Sequence, residues 1–273
     1  MDFQICVPAT HDVFMWLHSS KEISPAEIGV RRRELLRKLE PTERLDDYWV
    51  VAFLKQSTEL DAAAVVEFMK ARLKVSGDVE RWAYIPFDRL HANSSLDLKS
   101  SPMGTRLLSE LMDWALVECA EPQVAWLFGK TVSGLWGSYD QPLLDLLLAW
   151  MSGGTEQHAN LVATVLQNAQ QTILYDHTGF VSDILEAAEQ IDEKAAKSIR
   201  HAFSSATLTG SRSTAPGEPF QEDVRLEEHC TAMLATLSRV EPAYELYETL
   251  LESARDGIAR QRQMKQAMED EEE

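Results

Sequence analysis

Leu107-Leu-Ser-Glu-Leu-Met-Asp-Trp114 is followed 36 residues later by Leu143-Leu-Asp-Leu-Leu-Leu-Ala-Trp150. The shift places Leu107 on Leu143, Leu108 on Leu144, Leu111 on Leu147, Met112 on Leu148 and Trp114 on Trp150. It also lays Tyr139-Asp140 over Tyr175-Asp176. A third copy follows at a shift of 37, with Phe180, Val181, Ile184, Leu185 and Ala188 in the places of Leu143, Leu144, Leu147, Leu148 and Met151. Apolar residues at i, i+1, i+4 and i+5 share one face of a helix, and no segment alternates with the period of two that a strand requires. A period of roughly 35–45 residues is that of two-helix solenoid repeats, in which each unit buries its apolar face against the next copy. The expected fold is therefore all-α: an α-solenoid of antiparallel helix pairs, HEAT-like, with about twelve helices.

Working outward gives four regions: an N-terminal helical region at 1–100, helical repeats at 101–206, a loop at 207–219, and a C-terminal helix pair with an acidic tail at 220–273. Ser24-Pro25 with Glu27 is a capped helix start, and Pro41 stops the run through Ile28, Leu35, Leu36 and Leu39. Further helices are expected at Thr10–His18, around Leu45–Phe53, over Val65–Leu73, and briefly at Val79–Tyr84. The repeats open at Ser101-Pro102, Glu121-Pro122, Asp140-Gln-Pro142, Thr155, Thr178 and Asp192. Pro242 opens the last helix, and the acidic run Glu269–Glu273 is expected to stay frayed and solvated.

The net charge is −18, with 26 basic and 44 acidic residues, and it grows more negative along the chain. Residues 138–200 hold 3 basic and 9 acidic side chains, and residues 201–273 hold 7 and 15. Nucleic-acid binding needs a basic footprint, so nucleic acid is an improbable partner and a basic or mixed-charge protein surface is the favoured one. Three scattered cysteines (Cys6, Cys119, Cys230) form no C-x-x-C pair and read as buried thiols in a reducing compartment. No apolar run approaches the ~20 residues of a membrane span, and the start shows no secretory pattern. The expected location is cytoplasmic.

No residue set presents itself as catalytic, cofactor-binding or metal-ligating. Gly129-Lys130-Thr131 resembles the end of a phosphate-binding loop, but the required second glycine is replaced by Val124 in a helical context. Seven histidines stand singly, none paired at i, i+4. Asp176-His177 and Glu228-His229-Cys230 are adjacent in sequence, and neighbours on a helix point about 100° apart, so neither is a preassembled pair. The aspartate of each Tyr-Asp pair is expected to cap the following helix. Trp114, Trp126, Trp136 and Trp150 are expected to fill a shared core. Arg31, Arg32, Arg33 and Arg37, with Lys38 and Arg44, form the one basic cluster. It is either a partner contact or a helix face tied up by Glu34, Glu40 and Glu43. With Lys130 and Arg212, these four arginines are the candidate partner-binding residues.

On the strength of Leu107–Trp114, Leu143–Trp150 and Phe180–Ala206, the chain resembles HEAT/armadillo-type α-solenoids. More faintly, it resembles the C-terminal helical-repeat regions of large bacterial signalling and defence ATPases. The resemblance implies a recognition or scaffold role without the nucleotide-binding module, and no catalytic residue carries over. The expected function is thus a non-catalytic protein–protein interaction module. An acidic inhibitor of a basic protein, or a helical enzyme with an unrecognised site, is the alternative.

Overall fold

A computed structural model of the chain describes residues 25–43, 45, 47–75, 87, 95–207, 214 and 217–272. Among them are eleven α-helices, one 3-10 turn and no strand. The helices are α1 (Pro25–Leu39), α2 (Tyr48–Val75), α3 (Gly104–Glu118), α4 (Pro122–Trp136), α5 (Gln141–Met151) and α6 (Glu156–Leu166), then α7 (Ile173–Asp176), α8 (Thr178–Ile191), α9 (Glu193–Ala206), α10 (Gln221–Thr236) and α11 (Pro242–Glu272). The all-α expectation holds. The helices expected at Thr10–His18 and Val79–Tyr84, and residues 208–213, 215 and 216 of the loop at 207–219, lie outside the described residues.

The chain forms two compact units, Met1–Trp150 with Asn160–Asn168, and Met151–Ala159 with Ala169–Glu273. In the first, α2 packs against α1, α3 and α4. The two helices expected around Leu45–Phe53 and Val65–Leu73 form one element broken at Asp61, whose φ of −153° and ψ of 67° are non-helical. The break is capped locally, because the Asp61 carboxylate accepts from the Ala64 backbone N–H at 3.2 Å. The core holds Phe53, Leu54, Val65, Met69 and Leu73 from α2, with Leu108, Leu111 and Met112 from α3 and Phe128, Val132 and Leu135 from α4. Gly129 explains itself here: a Cβ on it would lie 2.1 Å from the Thr164 carbonyl oxygen, so only glycine lets the two backbones approach so closely.

In the second unit, α11 packs on α8, α9 and α10. Ala195, Ala196, Ile199, Ala202, Phe203 and Ala206 form the buried stripe of α9, and Ala243, Leu246, Tyr247, Leu250, Ala254 and Ile258 that of α11. Asp192 caps α9 by accepting from the Ala195 N–H at 2.7 Å. The largely buried Arg200 reaches Glu245 of α11 at 3.2 Å.

Three local expectations change. The acidic run, expected to fray, is helical as far as Glu272 in the described residues. Trp126 is not core: it is 43% exposed, while Trp136 is buried. Asp176 does not cap the next helix, whose N-cap is His177 with no side-chain cap bond. At the matching position, Asp140 takes hydrogen bonds from the Trp136 indole (2.8 Å) and the Ser138 hydroxyl (2.7 Å), with Lys99 at 3.3 Å.

Candidate functional site

The basic cluster on α1 borders a groove. About 340 Å³ of space lies between α1 and the second half of α2, lined by Arg33, Leu36, Arg37 and Glu40 on one side and by Asp61, Ala63, Ala64, Glu67 and Phe68 on the other. Leu36 and Phe68 make an apolar floor, and five charged side chains of both signs make the rim. Arg33 donates from Nε (2.9 Å) and from its terminal nitrogen (2.7 Å) to one Asp61 oxygen, bridging the two walls. Arg37 is exposed and makes no ion pair among the described residues. Glu67 is engaged by Lys70 of its own helix at 2.7 Å.

The walls are locked by a residue the sequence did not flag. Arg72 is fully buried, and its guanidinium donates to the carbonyls of Leu39 (2.8 Å), Glu40 (2.9 Å) and Thr42 (2.7 Å). They lie at the end of α1 and in the turn that follows it, where the helix dipole is negative and a cation is favoured. The guanidinium also lies 5.8 Å from the centroid of the Phe68 ring, so the clamp and the groove floor are in contact.

The other predicted site residues separate. Arg31 faces solvent and pairs loosely with Glu34 at 3.8 Å. Arg32 is not among the residues lining the groove and is 7% exposed; burial lowers its pKa, with Asp61 opposing. It is therefore unavailable as a surface contact. Lys130 is half-buried and stands 4.5 Å over the Trp126 ring, a cation–π contact remote from phosphate chemistry. Thr131 is buried and donates to the Leu127 carbonyl at 2.8 Å. Arg44 and Arg212 lie outside the described residues.

The histidine candidate sits within the second unit. The His229 ring meets Tyr175 edge-on at 4.8 Å and Tyr247 at 5.7 Å. Burial holds its pKa below the usual imidazole range, against the upward pull of a hydrogen bond with the Leu174 backbone. Cys230 beside it is buried, and burial pushes its thiol up to about 12; Cys119 is pushed up to about 12 in the same way. A thiol so protonated is a poor nucleophile. Among the described residues no three His, Cys, Asp or Glu gather as a metal would require. None of the described helices is long and apolar enough to cross a membrane.

Comparison of the chain with protein-family models, with curated proteins and with solved structures gives no match.

Proposed function

We propose that the chain is a non-catalytic protein–protein recognition module, and that a helix or extended peptide of its partner docks in the α1–α2 groove. The observation that supports this reading is the groove itself. An apolar floor ringed by Arg33, Arg37, Glu40 and Glu67 has the layout of a protein contact, with an apolar centre and a polar rim. A groove between two helices is a common seat for an amphipathic helix. The rim carries both signs of charge, so a mixed-charge partner is the natural complement.

The HEAT-like arrangement of serial helix pairs belongs to the same proposal. Its support is that residues related by the repeat share an environment: Leu107, Leu108 and Leu111 are buried, as are Leu143, Leu144 and Leu147 and, further on, Phe180, Val181 and Ile184.

The test is affinity capture from native lysate at low and high salt, comparing the native chain with an Arg33→Glu/Arg37→Glu variant. The reading expects a partner that the variant fails to retain and that salt releases. A partner held equally well by both chains would remove the groove from the account.

A further inference from the structure

We infer that the groove takes an amphipathic helix with carboxylates along one flank, and that Asp61 holds in advance the place of one of those carboxylates on Arg33. The inference rests on the groove being a protein-docking surface, and it adds the chemistry of the occupant.

The first observation is the phase of α1. At about 100° per residue, Val30, Arg33 and Arg37 fall within about 60° of one another, and all three are exposed. Leu36, on the floor, is about 60° from Arg33 and about 100° from Arg37, while Glu27 and Glu34 stand about 160–180° from it. This wall therefore offers an apolar seat edged by cations, with the acids of its own helix on the far side. A ligand helix with leucine and glutamate at neighbouring positions separates those side chains by the same ~100° and meets both seat and edge. Glu40, beyond the helix, marks the end of the cationic stretch.

The second observation is how Arg33 is used. Its side chain is 63% exposed, and two of its nitrogens converge on one carboxylate oxygen of Asp61, a charge-assisted contact of the kind by which arginine recognises an acid. The other Asp61 oxygen accepts from the Ala64 N–H at 3.2 Å, so the aspartate keeps a partner when Arg33 leaves it. Arg37, one turn along the same edge, makes no ion pair among the described residues. An exposed ion pair holds by a factor of only about 1.4–5. An incoming carboxylate that reaches both Arg33 and Arg37 gains a second cation and displaces Asp61.

The third is the opposite wall. Ala63 and Ala64 stand there, and their single methyls leave room for a helix to lie close. The acid on that wall, Glu67, is engaged by Lys70 of its own helix at 2.7 Å. The two walls are thus unlike, and the acids of the occupant belong on the flank that faces α1.

The test is fluorescence anisotropy of two labelled helical peptides with the purified full chain, at about 0.15 M salt, where remote acids are screened beyond ~8 Å. In the first peptide leucine recurs at i, i+3, i+4 and i+7 and glutamate at i+1, i+5 and i+8, in an alanine background; in the second, lysine replaces each glutamate. Saturable binding of the glutamate peptide below about 0.1 mM is expected, with the lysine peptide at least about tenfold weaker. Arg37→Glu should weaken the glutamate peptide about tenfold or more. Asp61→Asn, which keeps an oxygen for the Ala64 N–H, should tighten it about 1.4- to 5-fold, and Asp61→Ser, also a capping residue, should do the same. Circular dichroism verifies that each variant is folded. A purely structural Asp61 would leave the affinity unchanged or lower it on substitution, and that result overturns the inference. So does a glutamate peptide that fails to saturate, or a lysine peptide bound as tightly. Binding of the lysine peptide alone would sink the inference and leave the groove reading standing. If neither peptide binds and the captured partner is indifferent to Arg33→Glu/Arg37→Glu, both fall.

Discussion

Replacing Arg72 with Met should unlock the groove. Among the described residues the guanidinium donates to the carbonyls of Leu39, Glu40 and Thr42 at 2.7–2.9 Å and to that of Glu43 at 3.5 Å. A hydrogen bond to a charged group contributes about 1.5–3 kcal/mol, whereas burying the cation costs several kcal/mol. Methionine restores most of the packing and removes the desolvation penalty, but it takes the guanidinium away from the carbonyls of Leu39, Glu40 and Thr42, of which Leu39 keeps the Thr42 N–H at 3.1 Å. Those of Glu40 and Thr42 are only part-buried, so water can reach them, and the estimate belongs at the low end, about 3 kcal/mol. For a domain of this size that lowers Tm by about 6–12 °C. Arg72→Lys, with a point charge in place of a fork, should fall between the native chain and Arg72→Met. Urea denaturation measures the loss, and amide hydrogen exchange should quicken first at the end of α1. An Arg72→Met chain within about 1 kcal/mol of native, or an Arg72→Lys chain equal to it, refutes the clamp.

Further outcomes follow from close contacts and from burial. Gly129→Ala would raise stability by about 1 kcal/mol in an isolated helix; against the Thr164 carbonyl it should lower stability by about 1–3 kcal/mol, read as a fall in Tm. His229 has a folded-state pKa below its unfolded value near 6.5, so the unfolded chain takes up the proton first as pH falls. Stability should therefore be full above about pH 6.5 and decline below it, and His229→Phe should flatten that part of the denaturation-versus-pH curve. In a Cys6→Ser background, Cys119 and Cys230, 2% and 0% exposed, should react with a thiol reagent only as fast as the chain opens, and at once in denaturant.

The helical class and most helix starts were legible in the sequence because they rest on local signals. Pro25, Pro122 and Pro242 each open a helix where expected, since proline at the first helical position depends on nothing distant. The break in α2 was half-legible: two helices were anticipated, but Asp61 as the cap at their junction was not, because an aspartate between alanines and leucines gives little local warning. Arg72 was invisible because its partners are carbonyls about thirty residues away. The arginine cluster was visible as composition, but which members face the groove depends on helix phase. Arg32 turns inward while Arg33 and Arg37 border the cavity. Trp126 was misplaced for a related reason: an aromatic in a repeat suggests core, yet its position on α4 turns it outward beneath Lys130.

The central claim is that the space between α1 and α2 is where recognition happens, and it can be tested by filling that space. Ala63 is exposed and lines the groove, so in a Cys6→Ser background an Ala63→Cys chain can carry a bulky maleimide there while Cys119 and Cys230 stay shielded. Binding to the captured partner should be retained by the unmodified variant and abolished by the labelled one. A labelled chain that binds as tightly as the unlabelled chain would contradict the account.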